Sequence, residues 1–180
     1  MSTTDTIAAI ATPPGQGGVG IVRVSGPKVW KIADAIFLSS EKPSAAQGGT
    51  FLHGKVLAAD GTEIDEALCL IFRAPKSYTG EDTVEIQGHG GPVVLKKILR
   101  RCLEEGARMA EPGEFTKRAF LNGKMDLVQA EAVADLIHAQ SDRAAKAALE
   151  QLEGGLSKQF NRLYDGLMET AADIETTLDF

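Results

Sequence analysis

Cysteine, histidine and aromatic residues are scarce in this 180-residue chain. It holds two cysteines and three histidines, and aromatic residues make up 6% of it. Cys69 lies in ALCLIF and Cys102 in ILRRCL. Those apolar settings predict two buried, reduced thiols, and neither has a partner at a metal-ligand spacing. Positive charge is also short: 19 Lys and Arg face 25 Asp and Glu, a net charge of -6. A stand-alone nucleic-acid binder needs clustered cations to meet phosphates, so that class is disfavoured. No apolar run is long enough to span a bilayer. The opening MSTTDTIAAIATPPG carries neither the basic stretch nor the apolar run of a secretion signal. The expectation is a soluble, cytoplasmic chain with no membrane partner. Hydrophobic residues, at 43%, suffice for a real core.

Two glycine patterns invite a nucleotide reading, and both fail on context. Gly15, Gly17 and Gly20 in TPPGQGGVGIVRVSG spell G-x-G-x-x-G. A dinucleotide loop needs a helix opening at the glycines, because the helix N-terminus holds the pyrophosphate. Here Val19–Val24 follows, a β-branched strand with Val19, Ile21 and Arg23 on one face and Val22 and Val24 on the other. Residues 6–11 form a short strand before it. The glycines then form a connection between two strands and let backbone approach closely. Further on, Gly49-TFLH-Gly54-Lys55 has phosphate-loop spacing, but Val56 stands where Ser or Thr must ligate magnesium.

The remaining chain alternates strands and helices up to about residue 112. Residues 28–38 carry Val29, Ile32, Ala33, Ile36 and Phe37 at helical spacing, with Ser25 and Pro27 suited to the helix start. Residues 39–49 read as a loop. TFLHGKVLA and EIDEALCLIF flank Asp60-Gly61 as a β-hairpin. After a polar loop at 74–82, TVEIQG reads as a strand. Gly88-His89-Gly90-Gly91-Pro92 then leads into a helix faced by Val94, Leu95, Ile98, Leu99, Cys102 and Leu103. A short strand follows. This predicts an α+β domain with a mixed sheet. Beyond residue 112 the chain is helical. Ala130, Val133, Leu136 and Ile137 form one face of a short helix. A long helix starts at Ser141-Asp142 with a stripe from Ala145 to Leu178, interrupted by Gly154-Gly155. That stripe needs a partner helix from another chain or from further sequence.

DTIAAIATPPGQGGVGIVRVSGP, YTGEDTVEIQGHGGP and EPGEFTKRAFLNGKMDLVQAEAVADLI together resemble the MnmE (TrmE) family of tRNA-modification GTPases. The resemblance covers essentially the whole chain. It implies an N-terminal tetrahydrofolate-binding and dimerisation domain over residues 1–118, similar to the aminomethyltransferase folate domain. Residues 119–180 would be the first part of the helical domain, ending before the G domain. The resemblance also implies a homodimer and a heterotetramer with the flavoprotein MnmG. The complex would place an aminomethyl or carboxymethylaminomethyl group on carbon 5 of a tRNA wobble uridine. The cofactor would be 5-formyltetrahydrofolate or methylenetetrahydrofolate. K+, Mg2+ and GTP would serve only the absent G domain.

The family's folate contacts map onto Arg23 in GIVRV, Glu85 in TVEIQG and Lys124 in LNGKMDL. Arg23 shares a strand face with apolar residues, which suits a paired cation or a site. Its planar guanidinium can hold a carboxylate or a pterin carbonyl with two bonds. Glu85 can accept two parallel N–H bonds from an aminopyrimidine edge, and Lys124 can supply a point charge. His89 is a candidate acid or base at a helix entry; no residue is assigned catalysis or metal binding. Two other readings stay open. One is a stand-alone folate-dependent one-carbon transferase, the other a dimerisation scaffold that binds no folate.

Overall fold

The computed structural model describes residues 5–178. The chain divides into two units, one running to Lys124 and one starting at Met125.

The first unit is built on a mixed sheet. In chain order it holds β1 (Ile7–Ile10), β2 (Gly17–Ser25), α1 (Val29–Ile36), β3 (Phe37–Ser39), β4 (Phe51–Leu57), β5 (Glu63–Phe72), β6 (Thr83–Gly90), α2 (Pro92–Glu104), β7 (Arg108–Met109) and α3 (Glu114–Leu121). The strands lie in the order β3-β4-β5-β6-β2-β1-β7. Neighbours are antiparallel except β1 and β7. Alternation along the strands decides which face is buried. Val22, Val24, Cys69, Ile71, Val84 and Ile86 point to one face and are buried there against α1 and α2. Val29, Ile32, Ala33 and Ile36 of α1 meet them, as do Leu95, Ile98, Leu99 and Cys102 of α2. Each such aliphatic side chain contributes about 2 kcal/mol of hydrophobic burial. Burial also pushes both thiols up to about 12, which keeps them protonated and inert. The α+β class read from the sequence is the observed one.

Several local expectations change. The helix read over 28–38 stops at Ile36, because Phe37–Ser39 pairs with β4 as an edge strand. Ser25 does not cap it: its hydroxyl is buried and donates to Glu81 Oε2 at 2.7 Å. Lys28 is the N-cap residue, without a side-chain cap bond, and its N–H donates to Thr6 Oγ1 at 2.8 Å. The strand read as TVEIQG runs on through Gly90, which places His89 within β6 and not at a helix entry. The boundary between units falls after Lys124. Residues 114–124 belong with the first unit: Arg118 donates to Asp5 O, just before β1, and to Glu81, and Asn122 to Thr79 O in the loop at 74–82.

The second unit holds α4 (Leu127–His138), α5 (Asp142–Leu152) and α6 (Gly155–Leu178). Asp126 caps α4 through Gln129 N, and the Gln129 side chain returns a bond to Asp126 N, a reciprocal capping box. Gln129 Nε2 also donates to Leu152 O at 2.7 Å, holding α4 on α5. Ala132 is the buried residue of α4, whereas Ile137, expected on the packed face, is 74% exposed. The long helix expected from Ser141 is two helices. Gly154 stands between them with φ +80, a left-handed conformation that ends α5.

Candidate functional site

The face of the sheet turned away from α1 and α2 carries Arg23 and Glu85. Register decides which side chains meet there. Phe51, Leu70, Glu85, Arg23 and Ala9 are successive partners across β4, β5, β6, β2 and β1. The next row on the same face is His53, Leu68, Gln87 and Ile21. Arg23 and Glu85 therefore stand directly opposite on neighbouring strands, and Arg23 Nε donates to Glu85 Oε1 at 2.7 Å. Their side chains are 23% and 14% exposed. A charged pair this sheltered, on the face away from α1 and α2, offers a ligand polar groups that water screens poorly.

Aromatic rings complete the surroundings. The Arg23 guanidinium lies 5.1 Å from the centroid of the Tyr78 ring and 5.3 Å from that of Phe115, within cation–π reach of both. Tyr78 belongs to the 74–82 loop and Phe115 to α3. The Tyr78 hydroxyl bonds Thr116 Oγ1 at 2.8 Å, tying loop to helix. The same loop is anchored by Glu81, which accepts from Ser25 Oγ and from Arg118 Nη1. Asp82 holds it from the other side, accepting from Trp30 Nε1 at 2.6 Å and from Ala74 N at 2.9 Å.

Lys124 reaches this assembly through the loop. Its Nζ donates to Pro75 O at 3.0 Å. Gly80, at φ +78, lies so close to Asn122 and Lys124 that an added Cβ would stand 3.2 Å from each side chain. The three predicted residues thus divide: Arg23 and Glu85 are joined directly, while Lys124 touches the loop whose Tyr78 covers Arg23. Tyr78 and Phe115 were missed in the sequence. The one signal was their place in the matched stretches YTGEDTVEIQGHGGP and EPGEF, since neither shows periodicity.

His89 sits four residues beyond Glu85 on β6, about 13 Å along the strand. Its Nδ1 is 2.7 Å from Asp65 Oδ1, and its backbone N donates to Asp65 Oδ2 at 2.7 Å. Asp65, on β5, was not a candidate in the sequence. The paired carboxylate holds the His89 imidazole above its ordinary value. Among the described residues, no group of three His, Cys, Asp or Glu side chains is arranged to hold a metal ion.

Comparison with known proteins adds a family. Residues 6–124 match the family described as "GTP-binding protein TrmE N-terminus", and residues 127–180 match "MnmE helical domain". The chain is 54% identical over 98% of its length to the tRNA modification GTPase MnmE of Laribacter hongkongensis. It is 52% identical over 100% of its length to that of Hydrogenovibrio crunogenus, and 53% identical over 97% to that of Neisseria meningitidis. It spans 38 to 39% of the length of these relatives.

Proposed function

Because the chain belongs to the TrmE/MnmE family of tRNA-modification GTPases, we propose that its first unit binds a one-carbon tetrahydrofolate on the sheet face turned away from α1 and α2. The single observation that carries this reading is the sheltered cross-strand pair of Arg23 and Glu85 beneath Tyr78 and Phe115. A pterin presents a flat ring with an aminopyrimidine edge. Glu85 is acceptor-only when ionised and can take two parallel N–H bonds from that edge. Arg23 has five N–H donors, of which Nε–H goes to Glu85, and the others can reach a ring carbonyl. Tyr78 and Phe115 offer flat apolar contact, as cofactor pockets generally do. Lys124 supplies a charge for the carbonyl or the anionic tail. The bound 5-formyltetrahydrofolate or methylenetetrahydrofolate carries the one-carbon unit; the chain's residues bind and orient it.

The wider role follows from the family. The first unit also dimerises with a second copy. Together with MnmG it supports addition of the aminomethyl or carboxymethylaminomethyl group at carbon 5 of the tRNA wobble uridine, in the cytoplasm. GTP, with K+ and Mg2+, acts elsewhere in the full-length relatives, since no G-x-x-x-x-G-K-[ST] occurs in this sequence.

Calorimetric titration with 5-formyltetrahydrofolate tests the site. Saturable binding is expected, with a loss of at least tenfold, about 1.4 kcal/mol, in Arg23→Ala and in Glu85→Ala that remain folded by circular dichroism. Absence of binding by a folded wild-type dimer overturns the reading and leaves a dimerisation scaffold.

A further inference from the structure

Beside α2 lies a cleft that the folate reading does not use. It measures about 360 Å³ and opens between α2 and the turn that joins β4 to β5. Lys97, Arg100 and Arg101 line it from α2, and Asp60 and Glu63 line it from the turn and the start of β5. The spacing i, i+3, i+4 puts the three cations on one side of the helix. Ala58, Ala59 and Ile64 add an apolar wall.

The acids here are engaged, and the cations are not used up. Glu63 Oε2 is held by Lys55 Nζ at 2.6 Å. Glu104 Oε1 is held by Arg100 Nε at 3.0 Å. Asp60 Oδ1 accepts from the backbone and hydroxyl of Thr62 in its own turn. Lys97 is exposed and makes no ion pair among the described residues. Arg101 is the unusual member, because it is 8% exposed. Its Nη2 meets Glu105 Oε1 at 2.5 Å, but its Nη1 stands 3.8 Å from Glu104 Oε2, past hydrogen-bond length. Its Nε is buried with no acceptor at all. A buried donor left unpaired is costly and uncommon in folded proteins. A ligand oxygen in the cleft would relieve it.

We propose that this cleft binds a small sugar phosphate, with the phosphate on Lys97, Arg100 and Arg101 and the sugar hydroxyls toward Asp60 and Glu63. Arg101 is tethered by one nitrogen, so its guanidinium can turn on that contact and bring Nε–H and Nη1–H to a phosphate oxygen. Arg100 has both Nη groups left for the same oxyanion, and Lys97 adds a point charge. Asp60 and Glu63 stand on the other wall. Ionised carboxylates only accept, so they repel a second anion and suit donating hydroxyls. This split of charge across the cleft orients the ligand, and Ala58, Ala59 and Ile64 meet its carbon skeleton. The carbonyls ending α2 disfavour an anion, but they amount to half a charge against three full cations. The volume is at the small end for ligand sites and suits one sugar with its phosphate.

The test is calorimetric titration of the 180-residue chain with ribose 5-phosphate, inorganic phosphate and ribose. Ionic strength is held constant, since salt screens exposed charges. Ribose 5-phosphate is expected to bind saturably, inorganic phosphate about threefold more weakly, and ribose without measurable heat. Lys97→Ala, at an exposed position, weakens ribose 5-phosphate about tenfold. Nitrogen-15 spectra follow the Arg101 Nε–H resonance, identified by its loss in Arg101→Lys. That resonance moves on binding, because the proton gains an acceptor. Four results each overturn the proposal: no saturable binding, unchanged affinity in Lys97→Ala, inorganic phosphate bound as tightly as the ester, or an unmoved Arg101 resonance. Folate is absent from every arm, and no residue here belongs to the Arg23–Glu85 site, so the two readings fail separately.

Discussion

Single side chains in this molecule matter most where charge is taken out of water. Arg118 is 4% exposed and Glu114 is 7% exposed. Arg118 Nη2 bonds Asp5 Oδ1 at 2.6 Å and Glu114 Oε1 at 3.2 Å. Arg108 Nη2 holds the same Glu114 oxygen at 2.6 Å. That network ties α3 to the strand end before β1. The Arg108 bond lowers the Glu114 carboxyl to about 2, from an ordinary 4.5. A carboxylate depressed in the folded state adds stability that is full above its unfolded value and lost as pH falls through its folded value. The first unit should therefore lose stability between about pH 4.5 and pH 2. Glu114→Gln should flatten that part of the profile in urea titrations at stepped pH. Arg118→Ala should cost about 3 kcal/mol at neutral pH, because it removes the buried cation shared by Asp5, Glu81 and Glu114. The same residue-scale logic separates Arg23 from a surface arginine: its partner stands opposite on the next strand and two rings lie over it.

At the scale of elements, turns and strand ends carry the constraints. Gly154 ends α5 in the left-handed region, and an added Cβ would meet nothing closer than Gln129 Nε2 at 3.7 Å. Space is not limiting there, so Gly154→Ala should cost only the conformational penalty, about 1 kcal/mol. Gly90 is the opposite case. A Cβ there would stand 2.5 Å from Gly17 O, a backbone atom that cannot swing aside. Gly90→Ala should cost about 2 kcal/mol as an overpacking change and loosen the irregular pairing of β2 with β6 between Gly17 and Gly20. Amide exchange at Gly17–Gly20 would report it. The cap of α4 offers a cleaner measurement: Asp126→Ala should lower stability by about 1 kcal/mol, seen as a reduced Tm of the helical signal. Helix periods were legible in the sequence because core-facing residues recur every three or four positions. Helix ends were less so. Ile36 closes α1 since the next three residues find a strand partner, and that partner lies in β4, well along the chain.

The whole molecule is two units, and the first contains every residue proposed for both sites. Residues 5–124 alone should fold and bind 5-formyltetrahydrofolate as the full chain does; a fragment that folds yet fails to bind would show that the site needs more than this unit. In the second unit Phe160, Leu163, Leu167 and Ile174 are each more than half exposed. These belong to the stripe read from the sequence, and the described residues leave them uncovered. No helix among the described residues is long and apolar enough to cross a membrane.

The sequence by itself determined the α+β class, the strand alternation, the buried thiols and the family. It also singled out Arg23, Glu85 and Lys124 as candidate site residues. These are local or cumulative properties: periods of two and of three to four, and long matched stretches. Only the tertiary structure decided that Arg23 meets Glu85 across 62 residues and that Asp65 reaches His89 across 24. Those contacts follow from which strands pair and in what register. A shift of one residue would turn each side chain to the opposite face.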